Sequence, residues 1–192
     1  MRIITGKARG TKLATLEGDN TRPTSERAKE AIFSTLQFDI DGACVLDLFA
    51  GSGQMGLEAL SRGADSATLC DLSRDAIAVI KKNAEKTRLL ENCRVICSDF
   101  RSALKKQAKK KAFDLVFLDP PYALGVIPEA LELLLCEDLL KVGAKIICEA
   151  ASFEDVFGKN ENLSSCFEVL KQTRYGVACV TILTFHTKEM NE

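Results

Sequence analysis

Short apolar runs recur along this chain between longer amphipathic stretches, and that rhythm restricts the possible folds more than any other feature. Runs at 43–48, 66–71, 93–98, 113–118 and 144–150 have the length and apolar character of buried strands. Between and after them, 54–62, 74–90, 101–110, 126–138 and 152–158 read as helices. A parallel neighbour can be reached only through a crossover, so this alternation predicts an α/β fold, a doubly wound and mostly parallel sheet. The last two apolar stretches, about 165–174 and 177–186, meet at Tyr175-Gly176. That junction is too tight for a crossover, so the chain should end in an antiparallel hairpin. At the other end, residues 1–16 carry Gly6 and Gly10 and read as a short hairpin or extended arm. Thr21-Arg22-Pro23-Thr24 is a turn, with Thr24 or Ser25 as the N-cap of a helix whose apolar face is Ala28, Ala31, Ile32, Thr35 and Leu36. The expectation is one domain over 1–192, with 1–24 as an N-terminal appendage.

With 192 residues, 46% of them hydrophobic, the chain can bury one sizeable core. No apolar run approaches the roughly 18 residues of a membrane span. The start, Met-Arg-Ile-Ile-Thr-Gly-Lys, has no apolar stretch of the secretory kind, so a cytoplasmic location is expected. Eight cysteines at 44, 70, 93, 97, 136, 148, 166 and 179 form no Cys-x-x-Cys pair, which suits reduced, buried thiols and predicts no metal site. His186, the only histidine, is expected at the surface near the end of the chain. A net charge of −1 argues against a polyelectrolyte binder. Charge is nonetheless local: Arg2, Lys7, Arg9 and Lys12 come with no acid among them, and Lys105, Lys106, Lys109, Lys110 and Lys111 form a second cluster. Such patches suit a nucleic acid gripped at limited points, or simply a solvated face.

Chemistry concentrates where strands should end. Asp47-Leu48-Phe49-Ala50-Gly51-Ser52-Gly53 follows the first core strand, and its glycines let the backbone turn sharply beside a ligand. Asp71, followed by Leu72, ends the second strand and Asp99, followed by Phe100, the third. Carboxylates so placed can hold a ribose diol at Asp71 and an adenine at Asp99 or Phe100. Gly51-x-Gly53-x-x-Gly56 also satisfies the dinucleotide fingerprint, with Asp71 at a suitable distance for the ribose. Asp47 tips the balance toward S-adenosylmethionine: beside the turn it can meet a cationic amino group, whereas it would repel a pyrophosphate.

Asp119-Pro120-Pro121-Tyr122 closes the fourth strand. Two prolines stop any continuation and restrict the residues before them, leaving a stiff loop that presents a carboxylate, backbone carbonyls and an aromatic ring. Asp119 and the Pro120 carbonyl can accept hydrogen bonds from an amino group on a flat ring while Tyr122 stacks on that ring.

The glycine turn, the acidic strand ends and the Asp-Pro-Pro-Tyr loop, in this order, resemble a class I S-adenosylmethionine-dependent amino-methyltransferase, a Rossmann-like fold. Thr21-Arg-Pro-Thr-Ser-Glu-Arg27, Glu30-Ala-Ile-Phe33, Arg2-Ile-Ile-Thr-Gly6 and Arg174-Tyr-Gly176 narrow the resemblance to the RsmD family. It implies methylation of the exocyclic N2 of a guanine in small-subunit ribosomal RNA, with the RNA free or inside the small subunit or its assembly intermediate. It also implies S-adenosylhomocysteine as product and no metal. Asp119, Pro120 and Tyr122 become the catalytic set. Asp47, Phe49, Ala50, Gly51, Gly53, Asp71, Leu72, Asp99 and Phe100 become the cofactor set. Arg2, Lys7, Arg9, Lys12, Arg22, Thr24, Arg27 and Pro121 become the RNA-contacting set. The family often continues Tyr-Gly with Asp-Thr, where this chain has Val177-Ala178. The alternatives are a DNA or RNA adenine or cytosine amino-methyltransferase, a protein-glutamine methyltransferase, a non-catalytic nucleoside-binding module and, more distantly, a nicotinamide oxidoreductase.

Overall fold

Strand–helix alternation is realised as a single sheet. A computed structural model describes residues 1–16, 26–107, 113–158 and 160–186. Among these, seven strands run β1 Cys44–Asp47, β2 Ser66–Asp71, β3 Cys93–Cys97, β4 Phe113–Leu118, β5 Leu140–Ala150, β6 Phe167–Tyr175 and β7 Ala178–Phe185. Their order is β3-β2-β1-β4-β5-β7-β6. The first five are parallel, and β7 pairs antiparallel with both β5 and β6. The helices are α1 Glu26–Thr35, α2 Gln54–Ser61, α3 Arg74–Thr87, α4 Phe100–Gln107, α5 Ile127–Cys136 and α6 Glu161–Ser164. After β1 the chain winds outward through β2 and β3, then returns to place β4 on the other side of β1. The C-terminal ends of β1 and β4 therefore flank a topological switch point, where doubly wound sheets open a crevice.

Both faces are covered at the centre of the sheet, so its inner strands are apolar on both sides, whereas edge strand β6 is exposed over most of its length. Along β1, Val45 packs with Ile32, Phe33, Leu57 and Ile80 on one face, while Leu46 packs with Leu104, Ile127 and Leu131 on the other. Residues 1–16 join the first face: Ile3, Ala8 and Leu13 are buried there. The hairpin reading of this segment is met by an Arg2–Lys12 antiparallel bridge.

Several boundaries differ from the sequence reading. Helix α3 stops at Thr87 because Arg88 adopts a left-handed φ of 58°, and a separate helical turn, Leu90–Asn92, follows. The stretch 152–158 forms only the short turn Glu154–Val156, while α6, not anticipated, follows it. β5 begins at Leu140, earlier than expected, because Phe113 already pairs with Leu140 across an irregularity in the ladder. All eight cysteines are free, but Cys97 and Cys136 are exposed rather than buried. The expected turn at 21–24, its N-cap and Lys109–Lys111 lie outside the described residues. No helix among the described residues is long and apolar enough to cross a membrane.

Candidate active site

As the chain leaves β1 it is tied to both neighbouring strands: Leu48 N donates to Phe117 O (3.1 Å) and Ala50 N to Cys70 O (2.9 Å). Gly53 N closes the turn on Ala50 O at 2.7 Å, and Gly53 itself has φ 79°, a left-handed conformation that L side chains rarely adopt. A Cβ there would also come within 2.9 Å of the Leu69 side chain, so the glycine is required by space as well as conformation. Gly56, one turn into α2, packs equally closely on Leu69. At Gly51, by contrast, an added Cβ would meet nothing within 4 Å: the turn has open space on its outer side.

Asp47 lies beneath this turn. Its side chain is buried, and Oδ2 accepts from Gly56 N at 3.0 Å. Burial pushes its carboxyl up to about 7, against the opposing effect of the Gly56 bond and with a contribution from the Asp71 charge. Asp71 reaches across from β2, with Oδ2 accepting from Gly51 N and Oδ1 from Ser73 N, both at 2.8 Å. Leu72, next to it, is 72% exposed. Asp99 caps α4, its Oδ1 accepting from Arg101 N (3.1 Å) and Ser102 N (3.2 Å). Hydrogen bonds from Ser102 hold its carboxyl below the usual range. Phe100 is buried with its ring 5.5 Å from that of Phe49 and under the Arg101 guanidinium at 4.4 Å. Ala50 is buried in the turn. The result is an open-sided glycine turn flanked by a carboxylate and an exposed leucine, with the buried Asp47 carboxyl at its inner end.

The second half of the site leaves the neighbouring strand β4, on the other side of the switch point from β2. Phe117 pairs with Asp47, so Asp119 leaves β4 two residues beyond that register. Asp119 is half-buried, Pro120 buried, and Pro121 and Tyr122 exposed. The Pro121 carbonyl accepts from Leu124 N at 3.0 Å and holds the loop in a helical turn, Tyr122–Leu124. The Tyr122 hydroxyl donates to Glu149 Oε1 at 3.0 Å. Burial, together with the Glu149 charge, pushes the phenol well above its ordinary value. Sequence reasoning passed over Glu149. Its signal was there: it stands near the end of an apolar strand, Ile146-Ile147-Cys148, as Asp47 and Asp71 do in theirs.

The basic arm separates into an anchored backbone and exposed side chains. Ile4 N and Thr5 N donate to the buried Glu58 carboxylate (2.8 and 3.0 Å), Lys7 N to Ser61 O (2.8 Å) and Ala8 N to Ser61 Oγ (3.0 Å). Farther along, Ala14 exchanges hydrogen bonds with the Asn83 amide, which also donates to Ser52 O in the glycine turn at 2.9 Å. Arg2, Lys7, Arg9, Lys12 and Arg27 point charge to solvent, with Arg2 paired to Glu26 at 3.3 Å. Arg22 and Thr24 lie outside the described residues. Neither Glu58 nor Asn83 was singled out from sequence, because a lone Glu or Asn within a helix carries no sign that backbone from elsewhere will dock on it.

A doubly wound sheet with a glycine turn on one side of its switch point and an Asp-Pro-Pro-Tyr loop on the other has the architecture of a class I S-adenosylmethionine-dependent methyltransferase. The model of the family described as Conserved hypothetical protein 95 matches residues 1–184. Ribosomal RNA small subunit methyltransferase D of Haemophilus influenzae is 39% identical over 150 residues, 78% of each chain. The protein of the same name from Buchnera aphidicola (Acyrthosiphon pisum) is 33% identical over 147 residues, 77% of this chain and 76% of the relative. A solved Escherichia coli structure superimposes with a TM-score of 0.84 at 32% identity, covering 97% of this chain and 98% of that one. The chain belongs to this family, the RsmD methyltransferases.

Proposed function

We propose that this protein transfers a methyl group to the exocyclic N2 of a guanine in 16S ribosomal RNA, within the small subunit or its assembly intermediate, in the cytoplasm. The observation that carries the reading is that Asp119-Pro120 and the glycine turn leave the C-terminal ends of the adjacent parallel strands β4 and β1. Family membership supports the substrate, since relatives are named as small-subunit ribosomal RNA methyltransferases.

S-adenosylmethionine, when bound, supplies an electrophilic methyl. Asp71 and Leu72 would hold its adenosyl part, with Phe49, Ala50, Gly51 and Gly53 shaping the turn and Asp47 facing the methionine amino group. Asp99 and Phe100 form the far wall. The guanine amino lone pair is delocalised into the ring, so the nitrogen is a poor nucleophile. Asp119 and the Pro120 carbonyl accept its two N–H groups. As nitrogen becomes tetrahedral and positive these acceptors strengthen, which favours the transition state over the ground state. One N–H proton leaves toward Asp119 or water once the N–C bond forms. Tyr122 contributes a base contact worth roughly 1–3 kcal/mol, against a cost of a few kcal/mol for turning the base out. Pro121 lies at the exposed lip of the loop, and the side chains of Arg2, Lys7, Arg9, Lys12, Arg22, Thr24 and Arg27 are the RNA-contacting set.

The test is incubation with radiolabelled methyl donor and small-subunit particles, naked ribosomal RNA, DNA or protein, followed by location of the label. Label on a guanine N2 of the small-subunit RNA is expected. Label on adenine, cytosine, DNA or a glutamine would overturn the reading.

A further inference from the structure

We infer that Glu149 selects guanine as the target base, its carboxylate accepting the ring N1–H beside the amino group held by Asp119. The inference rests on the guanine-N2 reading above and assigns a second reading group to the same site.

Strands β4 and β5 are parallel neighbours, with Phe117 opposite Ile147 and Leu118 opposite Cys148. The next positions in that register are Asp119 and Glu149. Two carboxylates thus stand on adjacent strand ends, whose backbones lie about 4.8 Å apart. Tyr122 spans the pair: its hydroxyl donates to Glu149 Oε1 at 3.0 Å, and the charges of both acids act on it. Glu149 is only 8% exposed, whereas Tyr122 is 39% exposed. A carboxylate this deep is not there for solubility. It offers about four acceptor positions, and the Tyr122 hydroxyl is among the groups that use them.

The bases differ in what lies next to their amino group. Guanine presents N1–H beside N2–H₂, two donors in a row. Adenine and cytosine present a bare ring nitrogen beside theirs. Two adjacent carboxylates complement the first pattern and confront the second with a lone pair. A carboxylate set against a bare ring nitrogen meets lone pair with lone pair, so a site built to accept a hydrogen bond discriminates strongly against an analogue lacking the donor. Asp119 alone would accept any of the three amino groups. Glu149 supplies the missing distinction.

The experiment uses small-subunit particles reconstituted with either guanine or 2-aminopurine at the methylated nucleotide. 2-Aminopurine keeps the N2 amino group but has a bare acceptor at N1. The wild-type enzyme should prefer guanine by roughly 100-fold or more in kcat/KM. Glu149→Gln, whose amide can donate to the bare nitrogen, should shrink that ratio at least about tenfold while leaving cofactor affinity unchanged. Tyr122→Phe keeps the ring and removes the clasp on Glu149, so it should slow guanine methylation and narrow the ratio by less. If Glu149 only anchors Tyr122, both variants will slow both bases equally, and the unchanged ratio overturns the inference while guanine methylation stands. Wild-type enzyme that leaves guanine N2 unmethylated overturns the base assignment and this inference together.

Discussion

Lys29 Nζ lies 3.2 Å from Glu58 Oε2, and both side chains are withdrawn from solvent. Lys29 also donates to the Arg2 carbonyl at 2.6 Å, while Glu58 collects Ile4 N, Thr5 N and the Arg62 guanidinium. One carboxylate on α2 therefore joins the N-terminal arm, α1 and its own helix. Burial lowers the Lys29 pKa despite the attraction of Glu58, so the pair is retained at a cost in desolvation that its full set of hydrogen bonds must offset.

Removing either partner should be unequal in effect. Glu58→Leu leaves a buried ammonium and two orphaned amides, and should destabilise the protein by about 3–5 kcal/mol. Lys29→Met leaves Glu58 with Arg62 and both amides, and should cost markedly less. Urea unfolding monitored by circular dichroism measures both. Equal losses would mean the arm's amides do not depend on Glu58.

The exposed arm charges can be tested without disturbing this anchor. Truncating 1–12 would strip Ile3 and Ala8 from the core, and even Gly6→Ala would drive a Cβ to within 1.8 Å of the Ser61 carbonyl oxygen. Replacing Lys7, Arg9 and Lys12 together by Ala avoids that. The slope of log K against log salt for RNA binding should become shallower by roughly 2–3, at about 0.7–0.9 per phosphate contact. Cofactor affinity should hold. An unchanged slope would assign these three residues to ordinary surface.

Asp119→Ala should reduce methyl transfer by about 100-fold or more, as loss of a transition-state acceptor does elsewhere. Cofactor affinity by calorimetry should remain, since the glycine turn and Asp71 are untouched. Loss of both would place Asp119 in the cofactor half.

What could be read from sequence follows from the range of the forces involved. Strand and helix periodicity is local, and so is the preference of glycine and proline for turns, so β1 to β5 and the two loop motifs were legible. The helix end at Arg88 was not, because nothing in its side chain announces a left-handed residue. The roles of Glu58 and Asn83 were illegible for a different reason: each collects backbone of the N-terminal arm from 53 to 69 residues away. For Glu149 the strand-end position was legible, but its partner Tyr122, 27 residues away, was not. Asp99 shows the limit within a legible motif. Its strand-end position was plain, but its engagement as the cap of α4 depends on the geometry of the next helix.

Asp47 provides a pH signature. Its folded-state pKa of about 7 lies well above the 3.8 of an unperturbed aspartate, with burial the main cause. At this carboxyl the native state therefore binds more protons than the unfolded chain between those values, and the contribution of Asp47 to stability falls as pH rises from about 4 to 7. Beyond pH 7 the full penalty remains, on the order of a few kcal/mol. Asp47→Asn keeps an oxygen for Gly56 N but removes the charge. The variant should match the wild type near pH 4 and exceed it in stability near pH 8, so that the difference between their urea midpoints opens across this range. A pH-independent difference would show that Asp47 is solvated in the native protein. The same substitution should weaken cofactor binding at pH 7.5, because an amide cannot balance the methionine ammonium. Stability gained and affinity lost at one atom would mark Asp47 as a charge buried for its ligand rather than for the fold.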